Sequence, residues 1–566
     1  MDTEKTEVKA GSFNQAHEET FEVNQYPAPT EEDWKELPEV SDAVPTSAYL
    51  VVLIEFCERF TYYGLSGPFQ NYVQYPNPPS YPAEQPGAIG KGHQTATALT
   101  TFFTFWCYIT PIIGAVIADQ FLGKYKTIVY FALIYLVGLL ILTLTSIPSA
   151  MASGASFPGF IVAIIIIGLG TGGIKSNVSP LVAEQYSAKS AYVKTQTNGK
   201  RVIVTPQATY QRLFSLFYFS INVGSLSAIA TTEMEKNIGF WPAYLLPTCM
   251  FVPCVIVVIL GRKKYVQTPP RGSVFVEAGR LFWMSMFKVK GGLEACKPSN
   301  LVQNYPHMVS KATWDDVFVD ELRRALRACI VFCWFPFYWL CYSQMTNNLV
   351  SMASTMLTGN VPNDIMQNID PIVLIIFIPI MDQIGYPVLR RIGFPLGPIT
   401  RMSIGFFFAS VAMAYSAGIQ SMVYNTAPYY DQPTGQNWIS AAYIIPAYVF
   451  IGLSEIFASI TGLEYAYKKA PQSMKSIVMA LFLFSNCFAS ILSFALVPVT
   501  YDPKMTWVYT GIAVCAFVCS ILMYICHRKN DTFDVEDDAI GRTDEQFAEY
   551  QHHNATQEYQ IEKSTV

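Results

Sequence analysis

KYKTIVYFALIYLVGLLILTLTSIPSAMASGASFPG, residues 124–159, decides the fold class. From Thr127 to Thr145 it runs nineteen residues without a charge. As a helix rising about 1.5 Å per residue, that length matches the roughly 30 Å of hydrocarbon in a bilayer. Lys124 and Lys126 stand before it, whereas the loop SIPSAMASGASFPG after it holds no Lys or Arg. Cytoplasmic loops carry the excess of basic residues, so this span is expected to start inside and end outside.

The same ruler, moved along the chain, predicts about twelve spans. They fall near 47–70, 95–118, 125–147, 158–183, 208–231, 241–261, 325–350, 366–389, 396–420, 438–463, 473–498 and 505–527. Polar residues interrupt the seventh and the tenth. Basic residues recur at every second connection: Lys189, Lys194, Lys200 and Arg201 after the fourth span, Arg262, Lys263 and Lys264 after the sixth. Arg390 and Arg391, then Lys468, Lys469 and Lys475, then Arg528 and Lys529 continue the series. NTAPYYDQPTGQN, after the ninth span, again has none. An even number of spans returns the chain to its starting side, which places both termini in the cytoplasm.

Composition agrees. Of 566 residues 51% are hydrophobic and only 14% charged, against about 25% charged in a soluble domain. That excludes a disordered chain and a nucleic-acid-binding one. The formal net charge of −5 is segregated: acids outnumber bases by nine in residues 1–45 and by eight in 530–566, leaving a basic, apolar middle. The expected fold is an all-α membrane protein of the major-facilitator type, two six-helix bundles with substrate bound between them. Its parts are an acidic cytoplasmic tail (1–46), a first bundle (47–261), a basic cytoplasmic linker (262–324), a second bundle (325–527) and a second acidic tail (528–566). The linker piece VFVEAGRLFWMSMFKVK (274–290) is expected to lie on the inner leaflet as a tether. The tails are expected to be disordered. The first tail, with Pro27, Pro29 and Pro38, lacks the basic start and short apolar core of a cleavable signal, so targeting falls to the first span.

Twelve cysteines sit mostly inside apolar runs, as Cys57, Cys107, Cys249 and Cys515 do, without a CxxC pair. His17, His93, His307, His527, His552 and His553 fall in tails or connections, His93 in a loop. Neither metal nor cofactor is expected.

Charges inside spans cost about 2.5–3.5 kcal/mol each by insertion scales, so each needs a partner or a task. In VVLIEFCERFTYYGLSG (51–67), Glu55, Glu58, Arg59 and Tyr62 stand at i, i+3, i+4 and i+7, one helical face. Two acids competing for one base let one of them take a proton near neutral pH. In GLGTGGIKSNVSP (168–180), Lys175 needs an anion. Gly168 and Gly173 have the separation of a phosphate-binding loop, but Ile174 stands where that pattern demands Lys, and Gly168 with Gly172 fits close helix packing instead. Glu455, midway through the tenth span, calls for a cationic partner. Asp370, Asp382 and Glu464 lie nearer span ends, where structural or gating roles are expected. Arg59 and Lys175 belong to one half and Glu455 to the other, a polarity that fits a zwitterion across the cleft.

Three segments carry a resemblance. Glu55, Phe56, Cys57, Glu58 and Arg59 form an ExxER motif continued by Phe60, Tyr62, Tyr63 and Gly64; GAVIADQFLGKYKTI spans Gly114 to Ile128; FYFSINVGSL spans Phe217 to Leu226. In this order they closely resemble the proton-coupled oligopeptide transporters, fungal di- and tripeptide transporters most of all, over about residues 47–527. The resemblance implies a symporter that needs no cofactor, works as a monomer and imports di- and tripeptides with protons across the plasma membrane. It implies that Glu55 and Glu58 couple protons, that Arg59 and Lys175 bind the peptide carboxylate, and that Glu455 holds its amino group. It further implies pocket roles for Tyr62, Tyr63, Tyr108 and Phe482, and for Asn222 as a polar ligand of the peptide. Asp370 stands where many relatives carry Asn, an extra acid that would favour cationic substrates. Ser66 and Ser343 stand where many bacterial members pair Arg with Glu, so the outer gate must close otherwise. Thr101 replaces the second-span His of animal members, which leaves the carboxylates as proton sites.

A nitrate carrier of the same family is the alternative, opposed by the intact ExxER motif and by Glu455. A membrane enzyme lacks HExxH, GxSxG and intramembrane His. A sensor would usually add a soluble domain.

Overall fold

The computed structural model describes residue 27 and residues 29–528, except 187–190, 196–198, 268, 271–273, 386–387, 390–391, 393–395, 430–436 and 471–474. The first tail before Pro27, the second tail beyond 528, Lys189, Arg390 and Arg391 therefore lie outside the described residues, as does the side chain of Asp382.

Among the described residues, eleven helices are long and apolar enough to cross a bilayer. They are Gly92–Leu122, Lys124–Thr145, Ser156–Glu184, Arg212–Asn237, Phe240–Lys263, Asp316–Ser354, Asn363–Ile380, Pro398–Asn425, Ala441–Ala466, Val478–Val499 and Met505–His527. Thr46–Ser66, which carries Glu55, Glu58 and Arg59 through an otherwise apolar run of 21 residues, precedes them. These are spans one to twelve below, Thr46–Ser66 being the first. The face where span one begins and span twelve ends is the terminal face; the opposite one is the far face.

Span three shows why the helices stand as they do. Tyr130, Leu133, Val137, Leu140 and Leu144 are exposed along one stripe, while Phe131, Tyr135, Leu139 and Leu142 are buried on the other. An apolar stripe turned outward suits lipid, and the inward one packs on span four. The glycines of span four explain that packing. A Cβ at Gly168 would meet Trp106 at 2.4 Å and one at Gly172 would meet Thr110 at 2.2 Å, both on span two. At Gly170 and Gly173 it would strike Tyr135 and Phe131 of span three, at 2.5 and 2.1 Å. These glycines serve helix contact on two sides.

Span two closes with a π-helical turn, Ala118–Leu122, and Gly123 reverses the chain at φ +77°, a conformation glycine adopts at little cost. Lys124 then pairs with Glu184 at the end of span four. Spans seven and ten, the two interrupted by polar residues, are not continuous α-helices. Span seven contains 3-10 segments at Ile330–Trp334 and Gln344–Thr346, and in span ten a π turn, Ile456–Ile460, follows Glu455 directly.

Three expectations need correction. The linker is folded rather than a bare tether: Ala278, Leu281 and Met284 of helix Val274–Phe287 join Cys296, Leu301, Trp314 and Leu322 in the core of the second bundle. Lys297 holds Glu294 at 2.6 Å and Asp320 at 2.9 Å, and Asp315 caps a helix that starts at Asp316 rather than near 325. Phe282, Trp283, Met286 and Phe287 of the linker helix are exposed. His93 is not in a loop but in the first turn of span two, its Nε2 3.0 Å from Asn348 Oδ1.

Part of the first tail is also ordered. Within the described residues of 27–44 and 186–214, which form their own compact unit, β1 (Glu39–Val40) runs parallel to β3 (Arg201–Val204), and β2 (Tyr192–Thr195) pairs antiparallel with β3. Trp34 and Leu37 pack on Ala191, Val193 and Ile203. Thr30 and Asp33 cap the short helix Glu31–Glu36 reciprocally, and Arg201 reaches Asp33 at 3.0 Å. Near the far face, β4 (Met356–Leu357) pairs with β5 (Asn437–Ser440).

Candidate functional site

On span one the helical register brings Glu55, Glu58 and Arg59 together. Arg59 Nε lies 2.5 Å from Glu58 Oε2 and 3.4 Å from Glu55 Oε1. Glu58 is fully buried, and its other oxygen accepts a hydrogen bond from Thr171 Oγ1 of span four at 2.5 Å. Buried charges persist only when paired and hydrogen-bonded, which Glu58 is on both oxygens. Gly224 of the SINVGS segment lets span five approach this cluster: a Cβ there would lie 3.0 Å from Arg59 Cβ and 3.2 Å from the Phe56 carbonyl.

Lys175 has no such partner. Among the described residues no carboxylate stands within ion-pair distance of its Nζ, which sits 3.9 Å from the centre of the Tyr108 ring. The ring face offers attraction without neutralising the charge. Arg59 similarly lies over Tyr62, 4.9 Å from the ring centre. Tyr62 meets Tyr63 edge-on at 5.4 Å and stacks on Phe103 at 5.7 Å.

The second bundle presents the reverse. Glu455 faces Asp370 within hydrogen-bonding reach, and the Tyr342 hydroxyl beside them donates to Asp370 Oδ2 at 3.4 Å. Gly452 permits this approach; a Cβ there would fall 3.1 Å from Asp370 Oδ1. The expected cationic partner of Glu455 is thus replaced by a second acid and a phenol. Asp370, expected near a hydrated span end, is 4% exposed. Asp370 Oδ1 and Glu455 Oε2 have no hydrogen-bond donor. Glu464 instead pairs with Arg401 at 3.7 Å.

Tyr63 and Tyr108 each feel the charges of both Arg59 and Glu455. Asn222 donates to the Tyr218 carbonyl at 2.9 Å. Tyr218 feels the charges of Glu455 and Asp370. Sequence reasoning missed Tyr218, one turn before Asn222, and Tyr342, although both stand on faces already marked by named residues. Phe482 is not brought to this surface: it is 1% exposed, packed edge-on against Phe335 at 4.9 Å and Phe332 at 5.2 Å.

Amides and hydroxyls join the two bundles near the far face. The Ser66 hydroxyl donates to the Tyr63 carbonyl, and the Ser343 hydroxyl donates to the Leu340 carbonyl and accepts from Gln344, all within their own helices. Gln70 donates to Ser351 at 3.0 Å, Ser351 to Gln74 at 2.6 Å, and Tyr75 meets Ser354. Asn71 and Asn363 exchange amide hydrogen bonds at 2.9 and 3.0 Å.

Comparison with known proteins follows the same lines. Residues 125–525 match the family model described as POT family. The chain is 49% identical to the probable peptide transporter ptr2 of Schizosaccharomyces pombe, over 96% of this chain and 89% of that one. It is 46% identical to the peptide transporter PTR2 of Saccharomyces cerevisiae, over 90% and 84%. The crystal structure of an auto-inhibited POT family peptide transporter matches at TM-score 0.70 and 23% identity, covering 87% of this chain and 98% of that one. The fold is the major-facilitator fold, two bundles of six helices.

Proposed function

The chain belongs to the POT family, and from that premise we propose that it imports di- and tripeptides together with protons across the plasma membrane. One observation supports this most. A lysine without an anion stands in the first bundle and an acid pair without a cation in the second, with tyrosines between. A short peptide carries the complement of both: its carboxylate satisfies Lys175 and Arg59, its ammonium satisfies Glu455 and Asp370. Nitrate offers nothing to the acid pair.

Coupling runs through span one. Glu58 holds Arg59, so Arg59 is engaged while Glu58 is ionised. A proton on Glu58 or Glu55 weakens that hold and frees the guanidinium for the peptide carboxylate; loss of the proton restores the pair and expels the substrate. Each step shifts the balance between outward-open and inward-open arrangements. Tyr62, Tyr63, Tyr108 and Asn222 line the path, and Phe482 braces span seven from behind. The basic connections favour a cytoplasmic terminal face, with both termini inside and the far face outside. The unit acts as a monomer, and the exposed aromatic residues of the linker helix rest on the inner leaflet.

Uptake of radiolabelled dialanine into liposomes holding the purified protein tests the proposal. Accumulation under an inward proton gradient, abolished by an ionophore, is expected; equal uptake in both conditions would remove the coupling.

A further inference from the structure

Glu235, near the far-face end of span five, and Asp364, in the first turn of span eight, are both fully buried. They come from different bundles and face each other within hydrogen-bonding reach. Two ionised carboxylates are acceptors only, so a hydrogen bond between them requires a proton on one.

The surroundings supply no substitute. The Asn71 amide donates to Glu235 Oε1 at 2.9 Å and to Asn363 at 2.9 Å, and its oxygen accepts from Asn363 at 3.0 Å and Gln85 at 3.4 Å. Among the described residues, no donor from another residue is placed on Glu235 Oε2 or on either oxygen of Asp364. The charged neighbours are Glu233 and Lys236 on the same helix as Glu235, with Glu84 beside Lys236; the Lys236 ammonium is turned to the Gly359 carbonyl at 3.3 Å. The titratable phenols that feel these charges are Tyr81, Tyr244 of span six and Tyr448 of span ten, the last with its hydroxyl donating to the Met345 carbonyl at 3.0 Å. Tyr244 is 1% exposed and, among the described residues, its hydroxyl has no partner.

We propose that Glu235 and Asp364 form a second proton-binding site, distinct from Glu55 and Glu58, whose bound proton latches the two bundles together at the far face. With the proton present, one carboxyl donates to the other beside the Asn71–Asn363 pair. With it absent, two like charges oppose each other in a dry interface, a repulsion that separating the bundles relieves. The far face thus closes on proton capture and opens on proton loss.

The test measures the distance between bundles directly and needs no peptide. Spin labels on p-acetylphenylalanine introduced at Ile238 and Leu357, both exposed near the far face, report it by double electron–electron resonance at a series of pH values. The expected result is a shift of several ångströms to longer distance as pH rises. Asp364→Asn and, separately, Glu235→Gln should hold the short distance at every pH, because an amide keeps the hydrogen bond without a charge. Glu58→Gln should still shift. A wild-type distance that ignores pH, variants that shift as the wild type does, or a distance that follows sodium concentration instead of pH would each overturn the latch. Failure of peptide uptake would leave these distances unaffected, so the two proposals fail separately.

Discussion

Asp370 on span eight, buried, and Glu455 on span ten, half-buried, are two acids in hydrogen-bonding reach of one another, with the Tyr342 hydroxyl as their shared neighbour. Such a pair is an unfilled seat for positive charge. Asp370→Asn removes one acid while keeping the shape. Competition between lysyl-alanine and dialanine should show the preference for the cationic peptide falling about three- to tenfold, roughly 0.7–1.4 kcal/mol. Dialanine uptake itself should be little changed.

Among the described residues, Lys175 has no carboxylate within ion-pair distance. A charge-assisted hydrogen bond contributes about 1.5–3 kcal/mol, so Lys175→Ala should raise the KM for dialanine about 10- to 100-fold. A peptide amide, which lacks the carboxylate, should lose far less. Equal losses for both would show that Lys175 acts on the fold and not on the ligand.

Much of this was legible in the chain and some was not, for physical reasons. Spans read well because lipid imposes length and apolarity on each one separately. Glu55, Glu58, Arg59 and Lys175 stood out because charge in hydrocarbon is expensive wherever it occurs. The meeting of Asp370 with Glu455 could not be seen, since 85 positions separate them and only the packing at Gly452 joins them. Neutral side chains leave no mark in hydropathy, so Gln70, Asn71, Ser351 and Asn363 passed unnoticed. The β1 strand was hidden for another reason: it is two residues long, and its partner lies about 160 residues on.

Glu58→Gln keeps the hydrogen bond from Thr171 but loses the charge that holds Arg59. Proton-driven accumulation of dialanine should fall to simple equilibration, an internal-to-external ratio of about one, while counterflow of unlabelled for labelled peptide continues. A variant that still concentrates peptide would move the coupling proton elsewhere.

Gly172→Leu should damage the first bundle. Its Cβ alone would come within 2.2 Å of Thr110, and overpacking typically costs about 1–3 kcal/mol. Thermal unfolding of the purified protein in detergent should begin several degrees lower, whereas Gly418→Ala, where a Cβ meets nothing within 4 Å, should melt near the wild type.

The amide and hydroxyl clasp at the far face has an environmental meaning. Attraction between exposed ions weakens as salt shortens the Debye length from about 30 Å at 0.01 M to about 8 Å at 0.15 M. Hydrogen bonds among Gln70, Asn71, Ser351 and Asn363 carry no net charge for dissolved ions to screen. Closure carried by such groups holds equally well in dilute and in briny surroundings, and under the proposed Glu235–Asp364 latch acidity is the variable left to act on it.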